Sequence, residues 1–259
     1  MKFLLSKWYL DCISEDGKVF IGYSASLRWK SLKMNYSSIL KYKDIKGIET
    51  KTSIGGYSLL EASEASISWS HRRLGLNGTW NAVSLPIKKK LYDSDAGFIE
   101  WNCMQPLSRA DICMRGLRIS GLGYAEHLMM SIKPWSLPIE ELRWGRFHAG
   151  GNYLVWIEWR GPKPLTIAFY NGTMFENVSI SDRKIKIDGG KTTLELDENL
   201  VLREGPLIST VFSKVPVIQG VLARHIPNMH ECKWRSRGEL NDRGVISTGW
   251  AIHEVVKWH

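Results

Sequence analysis

The chain has 259 residues, 44% hydrophobic, 24% charged and 11% aromatic, a balance that excludes a disordered or fibrous protein and leaves one large or two small globular domains. No apolar run approaches the ~18 residues of a membrane span, and Met1 to Leu5 is too short for the apolar region of a signal peptide, so the expected location is the cytoplasm. The net charge of +9 is spread thinly, with Lys88-Lys89-Lys90 as its densest run, which argues for a diffusely basic surface and against a nucleic-acid footprint.

Along the chain, period-two patterns come first. Trp8, Leu10 and Cys12 alternate with Lys7, Tyr9 and Asp11, which predicts a strand with one buried face. Ser14-Glu15-Asp16-Gly17 turns the chain into a second extended run, Val19 to Trp29, and a third follows over Leu32 to Tyr42. Further turns are expected at Ile54-Gly55-Gly56, Asn77-Gly78, Asn171-Gly172 and Asp188-Gly189-Gly190. Strands recurring about every 8 to 12 residues suit an antiparallel barrel or sandwich. The one expected helix is short, Val215 to Ala223, closed by His225-Ile226-Pro227. Pro134 and Pro138 cannot donate to a central ladder, so 134–141 reads as a linker between two units, 1–133 and 142–259, each long enough for a barrel of about eight strands.

The familiar loops and elbows of nucleotide-binding and hydrolytic enzymes are absent, and Gly121-Leu122-Gly123 alone is too weak a signal for one. Four cysteines, Cys12, Cys103, Cys113 and Cys232, form no CxxC pair, and His225, His230 and Cys232 match no common metal set. Neither a metal nor a cofactor is expected. Twelve Trp are the more telling feature, because so many indoles need a large interior or an apolar cavity.

The chemistry concentrates between Phe98 and Arg160. With Gly123 to Met130 extended, Tyr124, Glu126, Leu128 and Met130 share one face, and Ala125, His127 and Met129 the other. A carboxyl beside a phenol and two apolar side chains is a candidate buried acid, since desolvation favours its protonated form. The alternative is that Glu126 pairs with an Arg at a barrel mouth or faces solvent. Trp144, Arg146 and His148 share a face of the next strand, where an Arg beside an indole either serves a ligand site or clamps the two units. Trp250, Ile252, Glu254, Val256 and Trp258 alternate as a closing strand.

These segments resemble the carotenoid 1,2-hydratase (hydroxyneurosporene synthase) family, with its lipocalin-like relatives that include fungal Diels-Alderases. The matching residues are Trp101-Asn102-Cys103, the Gly-Tyr-x-acid-His core at Gly123 to His127, Trp144-Gly145-Arg146, and Gly249-Trp250-x-x-x-Glu254. The resemblance implies an all-β fold of two lipocalin-like antiparallel barrels packed side by side, with a ligand cavity where they meet. It also implies an acid at Glu126 that protonates an isolated double bond, with Tyr124 orienting it. Ala125 and Ile99 stand where the family carries His, and Glu126 replaces Asp, so two imidazoles that could orient water or relay a proton are missing.

The leading expectation is therefore a hydratase- or cyclase-type enzyme acting on an apolar isoprenoid or polyene. Its catalytic residues would be Glu126 and Tyr124, and its ligand would meet Trp101, His127, Trp144, Arg146 and Trp156. A non-catalytic carrier of a hydrophobic small molecule, or a cyclase that templates by shape, would use the same cavity without an acid. A carbohydrate-binding or glycan-cleaving β-protein is the third reading. The expected partner is an apolar small molecule, collected by peripheral contact with a membrane surface, and no nucleic acid.

Overall fold

A computed structural model describes residues 3–43, 47–55, 58–206 and 229–258. The chain divides into two compact units, Met1–Lys133 and Pro134–His259. The expected helix at Val215–Ala223 and the nearby His225 lie outside the described residues.

In the first unit ten strands form one curled antiparallel sheet: β1 (Leu4–Ile13), β2 (Val19–Trp29), β3 (Leu32–Lys43), β4 (Gly47–Ile54), β5 (Ser58–Ala62), β6 (Ser66–His71), β7 (Leu76–Ala82), β8 (Ile87–Ser94), β9 (Gly97–Met114) and β10 (Leu117–Met130). Their order is β4-β3-β2-β1-β10-β9-β7-β6-β5, with β8 added to the other half of β9. Pro106, which has no N–H to give a ladder, sits where β9 changes partner from β8 to β7. The inner face is a core of Leu10, Cys12, Phe20, Trp69, Trp80, Ile112 and Ala125.

The second unit opens with a 3-10 turn at Pro134–Ser136. Nine strands follow: β11 (Glu141–Ala149), β12 (Asn152–Arg160), β13 (Leu165–Tyr170), β14 (Thr173–Phe175), β15 (Ser179–Ile180), β16 (Lys184–Ile187), β17 (Thr192–Pro206), β18 (His230–Asp242) and β19 (Val245–Lys257). Their order, β14-β13-β12-β11-β19-β18-β17-β16-β15, repeats the nine-strand path of the first unit. Phe147, Leu154, Trp156, Leu194, Leu196, Leu240 and Ala251 form its core. Gly145 explains the Trp-Gly-Arg tripeptide: a Cβ there would lie 2.1 Å from the Trp156 ring, so the indole lies flat on bare backbone.

Two local expectations need correction. Asn77-Gly78 is not a turn but lies inside β7; the chain turns at Gly75, where φ is +64°, and Gly78 serves instead to let Trp80 and Ile112 pack over its backbone. The first strand does not have one buried face: from Tyr9 to Ile13 every residue is buried, so Asp11, expected to face solvent, is inside the protein. Asn171-Gly172 does form the hairpin turn, with positive φ at both residues as a tight two-residue loop requires. Among the described residues the two sheets hold ten and nine strands, more than the roughly eight that chain length suggested.

Candidate functional site

The outer face of the first unit's sheet carries the candidate site. β10 pairs with β9 through two register shifts, at Gly123/Ala125 and Ala125/Glu126, so the ladder is kinked at the Gly-Tyr-x-Glu segment. Such bulges re-aim side chains and twist the strand locally. Gly123 is required there, because a Cβ would lie 2.7 Å from the Asp11 carbonyl oxygen and 2.9 Å from Trp80.

Glu126 is 9% exposed. Its Oε2 accepts a hydrogen bond from Trp101 Nε1 at 2.5 Å and another from Tyr124 OH at 2.6 Å. Both donors are neutral. Cys103 is opposite Glu126 in the β9 ladder, fully buried, and its thiol is pushed well above the usual range, first by burial and then by the Glu126 charge. Burial likewise holds the Tyr124 phenol well above its ordinary value, so it remains a donor.

Across the β1–β10 ladder Tyr9 pairs with Glu126, and Asp11 with Tyr124. Tyr9 OH donates to Asp11 Oδ2 at 3.0 Å, as Tyr124 does to Glu126. The face therefore holds two Tyr-x-acid pairs, running in opposite directions on adjacent strands. Tyr9 and Tyr124 meet edge to face with centroids 6.0 Å apart. Sequence reasoning missed Asp11 and Tyr9, although the repeated Tyr-x-acid spacing at 9–11 and 124–126 was the available signal.

The remaining predicted residues are distributed elsewhere. His127 points to the inner face, stacked on Trp8 at 4.6 Å and bonded to Ser6 Oγ at 2.8 Å; burial lowers its pKa. This alternation separates it from the Glu126 carboxyl by the thickness of the strand. Trp8 borders a cavity of 300 Å³ lined by Ser6, Ser24, Ser26, Tyr36 and Ser53. In the second unit Trp156 lies inside, while the alternation of β11 puts Trp144 and Arg146 on the outer face. Arg146 is fully buried, with Nη1 donating to the Trp250 carbonyl at 3.2 Å. Beside Trp144 stands a buried charge cluster: Lys233 is paired with Glu254, lies 3.8 Å from Glu231 and 5.5 Å from the Trp144 ring centre, and Glu231 is 3.7 Å from Arg203.

The fold is all-β, two lipocalin-like antiparallel sheets of the same strand order. No protein-family model matches the sequence, and no curated protein matches it. Among solved structures the chain is similar to CghA with Sch210972, at a TM-score of 0.66 and 9% identity over 99% of this chain and 89% of that one. It is also similar to kievitone hydratase from Nectria haematococca, at 0.60 and 11% identity over 97% and 88% of the two chains. An AttH-like protein from Nitrosomonas europaea gives 0.55 and 11% over 98% and 92%. At such identities the likeness is one of fold. Among the described residues no helix is long and apolar enough to cross a membrane.

Proposed function

We propose that the protein is a lyase- or cyclase-type enzyme that protonates an apolar isoprenoid or polyene, with Glu126 as the proton donor. The observation that carries this reading is the Glu126 carboxyl, buried and held on one oxygen by the neutral Trp101 and Tyr124 donors. A second carboxyl, Asp11, is buried on the same face, one strand away. In the reaction the O–H bond of Glu126 breaks as the π electrons of a double bond form a new C–H bond. The carbocation is then trapped by water, or by another double bond of the same molecule, and the proton released at the end returns to the carboxylate. Tyr124 and Trp101 fix the direction of the acid, and the indole face and the Asp11 charge favour positive charge on carbon. That one fold neighbour is named a hydratase, and that another was solved with Sch210972, supports small-molecule chemistry of this kind.

The test is conversion of a panel of isoprenoids and polyenes by the purified chain, read by mass spectrometry as a gain of one water or as an isomer of equal mass. Glu126→Gln keeps the shape and should lower turnover by roughly 10²- to 10⁴-fold, with retention of extractable ligand unchanged. Full activity in this variant would overturn the acid role. It would then favour catalysis by shape without an acid, whereas no conversion of any panel member together with retained ligand would favour the second reading, a carrier, for which the first unit holds a cavity of 300 Å³.

A further inference from the structure

We propose that the second unit holds a binding site of its own, for a small neutral aromatic molecule that carries one N–H or O–H donor, of the phenol or indole class. The site is independent of Glu126 and of the reading above.

Within this unit lies a cavity of 220 Å³, bordered among others by Trp156, Trp234, His253, Asn199 and Leu196. A dry cavity of ~150 Å³ already accommodates benzene, so there is room for one substituted ring. Its walls suit a flat molecule. The His253 ring is stacked on Trp234, with centroids 5.1 Å apart and planes 22° apart, and Trp156 stands 6.5 Å away on the tilt. Aromatic walls of this kind favour another aromatic ring in offset or edge-on contact.

The polar part of the site is set by a short chain of hydrogen bonds. β17 is interrupted between Asp197 and Leu200, where Glu198 takes a positive φ of 50°, and this bulge brings Asn199 to the rim. Ser236, fully buried, donates its one hydroxyl proton to Asn199 Oδ1. Ser236 Oγ is 2.8 Å from His253 Nε2 and has no second proton to give, so Nε2 is the donor in that contact. The imidazole is therefore held in the Nε2–H form, and burial keeps it neutral, its pKa pulled down to about 4. That leaves Nδ1 as a lone-pair acceptor, and it has no hydrogen-bond partner among the described residues. An aromatic cage with one fixed neutral acceptor selects a ring bearing a donor. Arg143 and Arg183 at the same cavity disfavour a cation, and the carboxylate of Asp182 is engaged by Arg143.

The full chain is titrated with p-cresol, indole and toluene, and followed by NMR. The expected result is saturable binding of p-cresol and indole with cross-relaxation from the ligand ring to Trp156 and Trp234. Toluene should bind at the same place roughly five- to tenfold more weakly, the value of one neutral hydrogen bond. His253→Phe keeps the stacked ring and should bring p-cresol down to the affinity of toluene. If that variant does not fold, the comparison of p-cresol with toluene on the wild type still decides. No saturable binding, equal affinity for p-cresol and toluene, or contacts confined to residues of the first unit would each overturn the proposal.

Discussion

In the first unit a row of side chains runs across three strands, Tyr9 on β1, Glu126 on β10 and Cys103 on β9. In the second unit the same place in the same strand order holds Trp144 on β11, Glu254 on β19 and Lys233 on β18. Each row has an aromatic ring, a glutamate and a third residue, and the third residue decides the chemistry. Glu126 faces a thiol and takes hydrogen bonds from an indole and a phenol. Glu254 is paired with an ammonium. One scaffold position thus sets a carboxyl among neutral donors in one half and against an ammonium in the other.

The comparison breaks most visibly at the third residue. Lys233→Met should leave Glu254 and Glu231 without their shared cation and cost about 3 to 5 kcal/mol, while Cys103→Ala at the matching place should cost only about 1 to 2 kcal/mol as a small core truncation. Chemical denaturation of the two variants measures the difference, and equal losses would show the rows to be energetically alike.

A second contrast is in histidines. His253 is pulled down to about 4 chiefly by burial, with Lys233 and Arg143 adding to the effect and Asp182 and Glu254 opposing it. Unfolded imidazole titrates near 6.5, so above that pH both states are neutral and the contribution to stability is full. As pH falls from 6.5 to about 4 the unfolded chain takes up the proton first, and the fold should lose about 3 kcal/mol. His127, lowered by a less complete burial, should contribute a shallower slope. Denaturation across this range on the wild type and on His253→Phe checks the assignment, because the variant should lose most of the slope.

Smaller effects sharpen the picture further. Gly145→Ala drives a methyl into the Trp156 ring and should lower stability by about 1 to 3 kcal/mol, read as a fall in melting temperature. Trp101→Phe keeps the ring and removes one donor to Glu126, which should cost about 1 kcal/mol and shift the acid limb of any pH–rate profile. Glu126→Gln should be nearly silent in stability, since Tyr124 and Trp101 can still donate to the amide oxygen. A comparable Glu254→Gln change should be destabilising because it strips Lys233 of a carboxylate.

Much of the architecture was legible because alternation and turn chemistry are local. The runs at Val19–Trp29 and Leu32–Tyr42 appear as β2 and β3 within a residue of their ends, and the Asn171-Gly172 turn is in place. Tyr124 bonds Glu126 as their shared face suggests, while Trp101, expected to meet the ligand, proves to be a second donor to the same oxygen. What was not legible depends on burial from both sides. Asp11 alternates like a solvent-facing residue, yet the strand that carries it is covered on both faces, and a period of two cannot distinguish these cases. Asn77-Gly78 has turn composition, but its glycine answers to the bulk of Trp80 rather than to a turn. The Ser236–His253–Asn199 chain depends on a bulge in β17, and nothing in the local sequence announces that Asn199 is brought round to Ser236.

The two Tyr-x-acid pairs come from the first and last strands of their unit, some of the most distant residues in that stretch of chain. A ladder between such strands pays its loop-closure entropy before any contact repays it. On the ribosome, Tyr9 and Asp11 emerge early and wait, their strand edge unpaired, until the segment around Tyr124 and Glu126 has been synthesised and folds back. This face is then among the last parts of the first unit to form, and a nascent chain halted before β10 contains one of its two Tyr-x-acid pairs without the other.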